Sequence, residues 1–195
     1  MPTTAARKIT FTPDEYFDWE ERQEEHHEYH HGEVYPMPGG TYEHFLVIAN
    51  WVVALRNALA DADASVLPDG MRLQINEDRY VYPDVSVVLG EPAFRDESRR
   101  VLLNPTVVVE VLSESTEVYD RGEKLASAGL RLAFYREVPS LREIVWVDPD
   151  RRWAEVAVKT DDAWTLPAPV TGGAVALPSL GVEVALDDLY RGVDL

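Results

Sequence analysis

The sequence predicts an α/β (α+β) protein in which a mixed β-sheet is flanked by helices. Three observations carry that expectation. YVYPDVSVVL and TVVVEVL are apolar, valine-rich runs of strand character. IVWVDPD and RRWAEVAV read as two strands joined by a turn at Pro149 and Asp150. Phe45, Ile48, Val52, Leu55 and Leu59 recur at three and four residues, the stripe of an amphipathic helix.

The elements follow in order. Thr12, Pro13 and Glu15 start a helix, with a capping hydroxyl, a first-turn proline and a capping-box carboxylate, and it runs to about Glu25. HEYHHGEVYPM has Gly32 between two β-prone pieces and reads as a hairpin. His44 begins the amphipathic helix, and MRLQI then alternates as a strand. GEPAFRDESRR is a polar connection between the two valine-rich runs. A long helical region is expected from about Val118 to Glu137, and LGVEVALDDLY reads as a short strand and a terminal helical turn. The chain contains no repeat, low-complexity tract or linker. Its 195 residues predict a single domain, 1–195, with the N-terminal helix and hairpin (about 12–40) packed on it.

Composition narrows the function classes. The chain is 46% hydrophobic, 27% charged and 10% aromatic, a globular profile. It has no cysteine, which excludes disulfides and thiolate metal sites and fits a reducing, cytoplasmic setting. MPTTAARKIT lacks the apolar run of a signal peptide, and no stretch approaches the roughly 20 apolar residues of a membrane span. The net charge of −17 argues against broad, non-specific nucleic-acid affinity, which needs basic surface to displace counterions. Any such contact has to come from a local cluster or from a metal that offsets the site's own carboxylates.

Each valine-rich run holds one acid, Asp84 in the first and Glu110 in the second. A carboxylate inside a buried strand is costly unless it is paired, hydrogen-bonded or bound to a cation. On neighbouring strands the two can converge on one hard cation such as Mg²⁺, which takes one or two carboxylates plus water and phosphate oxygens. The alternative is that each acid lies at a strand end and faces solvent.

Other groups read more plainly. All five histidines lie between positions 26 and 44. His26 with His30, or His27 with His31, has the spacing of a zinc pair on a helix, but the predicted hairpin breaks that geometry. Ser113, Ser115 and Thr116 lack a nearby histidine and a nucleophile elbow, so they read as capping hydroxyls. Asp120 is either an orienting cap or a surface charge, and Trp146, Trp153 and Trp164 read as sheet packing.

PDVSVVLG, VVVEVLSEST, YDRGEK and FYREVPSLREIVWVD together resemble the Uma-two family of restriction-endonuclease-like proteins, a branch of the PD-(D/E)XK nuclease superfamily. HEYHHGEVYPMPGGTYEH is similar to that family's hairpin and following histidine, so the resemblance runs from about His27 to Tyr190. It implies a mixed sheet with a magnesium site at its edge, Mn²⁺ being a substitute. Asp84 and Glu110 match the family's metal-binding acids, and a backbone carbonyl near Val111 would complete the shell. Glu33 in the hairpin is the implied third acid, and His44 matches a histidine near the site. The implied activity is that of an endonuclease hydrolysing DNA. The partners expected are DNA and a divalent metal, with no membrane and a homodimer as the assembly to test.

The superfamily's usual lysine position, two residues after the glutamate, is Leu112 here. In this branch the lysine lies on the following helix, and Lys124 of DRGEK matches it. Counting back from the LAFYR element nominates Arg131 instead, because LASAGLR intervenes. An arginine holds its proton and serves poorly in proton transfer. DRG directly before Lys124 favours the lysine. Two other readings stay open: a non-catalytic partner-binding protein that keeps the fold, and a hydrolase of small phosphate esters.

Overall fold

The computed structural model describes residues 10–37, 39–112, 132–161 and 163–195. Helix α1 (Pro13–Glu20) leads into the hairpin β1 (His27–His30) and β2 (Glu33–Pro36). Helix α2 (Tyr42–Ala58) precedes β3 (Ala64–Pro68), β4 (Arg72–Asn76), β5 (Arg79–Val81), β6 (Val85–Leu89), β7 (Val101–Leu102) and β8 (Val107–Val111). A helical turn at 132–135 comes before β9 (Glu143–Val147), β10 (Ala154–Thr160) and β11 (Ala163–Thr165). The hairpin β12 (Ala174–Leu177) and β13 (Val182–Ala185) and a short helix, Leu186–Leu189, follow.

The strands form a five-stranded sheet, β2-β1-β5-β4-β7, a six-stranded sheet, β11-β10-β9-β8-β6-β3, and the β12–β13 pair. Both large sheets are mixed: β4 with β7 and β8 with β9 are parallel, and the other pairings are antiparallel. The mixed-sheet α+β architecture is thus the one expected, although the strands divide between two large sheets.

The division has a local cause. YVYPDVSVVL is not one strand. Its first part is β5 in the five-stranded sheet, and its second is β6 in the six-stranded sheet. Pro83 lies between them and has no N–H to continue a ladder. Asp84 therefore sits just ahead of β6 rather than inside it, whereas Glu110 lies within β8.

One face of the six-stranded sheet carries Val85, Val87, Val107, Val109, Val145 and Val156, packed on α2, the β12–β13 pair and the closing helix. The other carries Val88, Val108, Ile144, Trp146 and Ala157, packed on Leu73, Ile75, Val81 and Leu102 of the five-stranded sheet and on Tyr135. Trp146 is buried there, and Trp153 and Trp164 pack against the same cluster, the packing role expected of them.

The α1 cap forms as the sequence indicates: Thr12 Oγ1 accepts from the Glu15 N–H (3.3 Å) and Glu15 Oε2 accepts from the Thr12 N–H (2.8 Å). The helix ends at Glu20 rather than Glu25, and Glu20 is turned inward, where its carboxylate accepts from the His27 N–H (2.8 Å) and the Tyr82 hydroxyl (2.9 Å). Tyr16, Tyr29 and Tyr80 form the small core that joins α1 to the five-stranded sheet.

The buried stripe of α2 runs His44, Val47, Ile48, Trp51 and Leu55. Phe45 is exposed and Val52 half-buried, so the stripe is rotated from the one expected. The shift brings Trp51 and Val47 into the core and carries His44 inward with them. β3, β7, β11 and β12 are additional to the expected elements. β7 and β11 are only two and three residues long, below the length at which alternation is readable. Most of the expected helix from Val118 to Glu137 lies outside the described residues; its end is the turn at 132–135.

Glu155 on β10 is buried, and its Oε2 has no hydrogen-bond partner among the described residues. Burial raises its pKa above the ordinary carboxylate value. An acid whose folded pKa is raised costs nothing while protonated in both states, and it removes stability as pH climbs through the ordinary value. Glu155→Gln is therefore expected to melt higher than the wild type at pH 8, by roughly 2–4 °C for ~1 kcal/mol. The two curves should converge near pH 4, as followed by circular dichroism. A pH-independent offset would contradict this reading.

Candidate active site

The site lies where β6 begins and β8 ends. Val85 pairs with Val109 in an antiparallel register, so one step further sets Asp84 level with Glu110. Directly opposed residues project from the same face of a sheet. Both acids are largely buried, at 8% and 6% exposure. Two ionisable groups withdrawn from water at neighbouring strand ends need compensation.

For Asp84 that compensation is visible on both oxygens. Oδ2 accepts from the Val111 N–H at 2.6 Å, and Oδ1 lies 3.4 Å from His44 Nε2. Glu110 Oε1 accepts from the Tyr135 hydroxyl, which the turn at 132–135 delivers. The 17-residue helix α2 brings His44 over the sheet end. Thr41 caps that helix, its Oγ1 accepting from the His44 N–H (3.2 Å). Burial pulls the imidazole pKa down, but the Asp84 carboxylate outweighs it together with the Leu112 backbone and the Asp69 charge, and His44 ends above its ordinary value.

The Val111 backbone is oriented by the same pairing. Leu112 N–H donates to the Val147 carbonyl (2.8 Å), so the backbone groups of Leu112 and Glu110 face β9 and those of Val111 face the β6 side. The continued register puts Pro83 opposite Val111. Proline has no N–H, so it offers the Val111 carbonyl no donor. Two carboxylates and a carbonyl on the same side are hard oxygen ligands, the donor set that suits Mg²⁺. Among the described residues, no three His, Asp or Glu side chains form a ready-made cation cage. A cation here would therefore take the rest of its shell from water and substrate, as Mg²⁺ usually does.

Asp69, Tyr135 and Gly40 were not singled out in the sequence. Asp69 follows β3 and is exposed as a residue, yet partial loss of hydration at its carboxyl, then the Asp84 charge, raise its pKa. His26, which stacks on Tyr82 (centroids 4.5 Å apart, planes at 13°), acts on Asp69 in the opposite, lowering direction. Only the proximity to β6, which no sequence pattern carries, marks Asp69. Tyr135 stands in the FYR element but gave no chemical signal of its own. Gly40 packs so closely on His44 that a Cβ there would sit 2.4 Å from the ring Cδ2.

The remaining sequence candidates fall as follows. Glu33 opens β2, half-buried, and accepts from the Tyr35 hydroxyl at 2.5 Å. His30 and His31 sit at the hairpin turn, where Arg79 donates from Nε to His30 Nδ1 (3.1 Å) and its Nη2 lies 2.9 Å from His31 Nε2. Lys124, Arg131, Asp120, Ser113, Ser115 and Thr116 lie outside the described residues.

Comparison with known proteins bears on the family and the fold. "Uncharacterized protein slr1290" of Synechocystis sp. (strain ATCC 27184 / PCC 6803 / Kazusa) is 35% identical over 184 residues, covering 93% of this chain and 92% of its own length. "Uncharacterized protein sll1609" of the same organism is 34% identical over 149 residues, or 76% of this chain and 80% of its own. Among solved structures, "a putative nuclease belonging to DUF820 from Anabaena variabilis ATCC 29413" superposes with a TM-score of 0.71 at 18% identity, over 93% of this chain and 98% of its own. That likeness shows the fold, which is restriction-endonuclease-like. Residues 13–188 match the sequence profile of the Uma2 family, described as "Putative restriction endonuclease", and the chain belongs to that family.

Proposed function

We propose that the protein is a Mg²⁺-dependent endonuclease that hydrolyses DNA phosphodiester bonds. The observation that carries the reading is the pinning of Asp84 by the Val111 N–H, level with Glu110 at the shared end of two neighbouring strands. Asp84, Glu110 and the Val111 carbonyl are the groups that would hold the cation. When bound, Mg²⁺ supplies polarisation of the phosphoryl oxygen and a more acidic water.

The chain's own residues do the positioning. The Val111 N–H fixes one oxygen of Asp84, and His44 sits against the other. The Tyr135 hydroxyl fixes one oxygen of Glu110. Outer partners of this kind orient acidic ligands and matter nearly as much as the ligands themselves. Lys124 is assigned the orientation of the attacking water and the neutralisation of charge developing on the phosphate. The same family membership supports DNA as the substrate, and Mn²⁺ is the expected substitute metal.

The test is cleavage of labelled oligonucleotides with Mg²⁺ or Mn²⁺, alongside a mononucleotide ester. Oligonucleotide cleavage is expected, lost on chelation and reduced by about 10²- to 10³-fold in Asp84→Asn. Lys124→Ala should lose most activity and Arg131→Ala much less. Turnover of the mononucleotide alone would instead identify a small-ester hydrolase. Binding of a divalent cation without turnover of either substrate would favour a partner-binding protein.

A further inference from the structure

We infer that the DNA taken by this site is single-stranded, with an unpaired base stacked on Tyr42 and Phe45; the inference rests on the nuclease reading above. Three observations converge on it.

The first is position. Tyr42, His44 and Phe45 share the first turn of α2. His44 turns inward to Asp84, and its ring meets that of Phe45 edge-on at 5.4 Å. Tyr42 and Phe45 are three apart and so are neighbours on the helix surface. The turn that positions the inner histidine therefore also carries two exposed aromatic rings, one of them in contact with that histidine.

The second is exposure. Tyr42 is 72% exposed and Phe45 49%, and no other aromatic residue is exposed among the described residues. Every other described Phe, Tyr and Trp ring is at least half-buried in packing. These two contribute little to the core, so their place on the surface is not explained by stability.

The third is charge. The chain carries a net −17, and many of its described arginines are already engaged by carboxylates: Arg79 by Glu137, Arg95 by Asp14, Arg100 by Glu21, Arg151 by Asp148 and Arg152 by Asp187. Asp69 adds a further acid beside Asp84. A duplex offers mainly phosphates to such a surface, and phosphate binding draws its strength from counterion release to basic side chains. An unpaired base offers a π-face, and stacking needs no net positive charge. Stacking is also closed to a base still held inside a duplex, so this mode of attachment selects single strands, flaps or frayed ends.

The test uses the full-length protein and fluorescence anisotropy, with a labelled oligothymidylate and a labelled duplex of equal length. The single strand is expected to bind at least tenfold more tightly than the duplex. Its affinity should fall by only about threefold between about 50 and about 200 mM salt, the loss that goes with a single phosphate contact on a single strand. Tyr42→Ala and Phe45→Ala should each weaken single-strand binding about 5- to 150-fold, with melting temperatures unchanged, and Phe45→Trp should restore it. Equal affinity for duplex, or aromatic variants that melt normally and bind as the wild type does, would overturn the inference. Failure of the nuclease reading looks different. Single-strand binding that depends on Tyr42 and Phe45, with no cleavage under any divalent metal, supports the stacking site and removes the hydrolysis. Duplex cleaved as fast as single strand, with both alanine variants fully active, removes the stacking site and leaves the hydrolysis.

Discussion

Millimolar Mg²⁺ or Mn²⁺ is expected to raise the melting temperature by roughly 5–10 °C, and Asp84→Asn to abolish the rise. A ligand that binds only the folded state stabilises it by about 2.7 kcal/mol at a hundredfold excess over its dissociation constant. For a chain of this length each kcal/mol moves the midpoint by roughly 2–4 °C. The structure gives the effect a local origin. Asp84 and Glu110 are both largely buried, at the same end of adjacent strands. A cation between them would relieve repulsion as well as add ligand bonds. Asparagine at position 84 keeps an oxygen for the Val111 N–H, which Asp84 now accepts at 2.6 Å, so the variant should fold. It loses the charge and hence the affinity. Differential scanning fluorimetry over a metal titration decides the matter. A midpoint that fails to move in the wild type, or moves equally in Asp84→Asn, would remove the metal site and with it the proposed chemistry.

The contrast between what the sequence revealed and what it concealed has physical causes. Strand periodicity and composition were strong in VVVEVL and IVWVD, and β8 and β9 stand where those runs predict. The Thr12 capping box and the β9–β10 turn were equally legible, because each is a local interaction between near neighbours. The same local reasoning placed Asp84 inside a strand. It missed that Pro83 ends the ladder and lets β5 and β6 join different sheets. Phe45 was assigned to the core because its spacing fits a stripe, but the helix settles with His44 and Trp51 inward and Phe45 outward. Spacing alone cannot fix the rotation of a helix when polar and apolar residues of similar size compete for the buried face. Asp69 and Tyr135 reach the site across 15 and 25 residues of chain from Asp84 and Glu110, respectively, counting 84 − 69 and 135 − 110. Such contacts depend on how the elements meet in space, and no pattern within a single element carries them.

The residue that illustrates this best is Gly40, and its replacement is expected to disable the site without unfolding the protein. A Cβ at position 40 would sit 2.4 Å from His44 Cδ2, 2.7 Å from Cγ and 3.1 Å from Cβ. The nearest of these is far closer than real contacts allow, and the three atoms include the root of the side chain rather than only its far end. A small tilt of the ring therefore cannot clear the clash. His44 is also confined: it is buried, its Nε2 lies 3.4 Å from Asp84 Oδ1, and Phe45 meets its ring edge-on. In Gly40→Ala either the imidazole leaves Asp84, or the chain around 39–41 shifts and loosens the Thr41 cap that accepts the His44 N–H. Both routes disturb the partner that holds the second oxygen of Asp84. Activity and metal affinity should fall about 10- to 100-fold, the usual effect of losing an outer partner of a ligand. The melting temperature should drop by no more than a few degrees, since no core side chain is removed. A double-mutant cycle separates this mechanism from general damage. His44→Ala alone should cost a comparable factor, and adding Gly40→Ala to it should cost little more, because the two closest clashing atoms, Cδ2 and Cγ, are gone and only the 3.1 Å approach to Cβ is left. If Gly40→Ala is as harmful without the imidazole as with it, the glycine acts on the loop backbone instead, and its role in seating His44 is refuted.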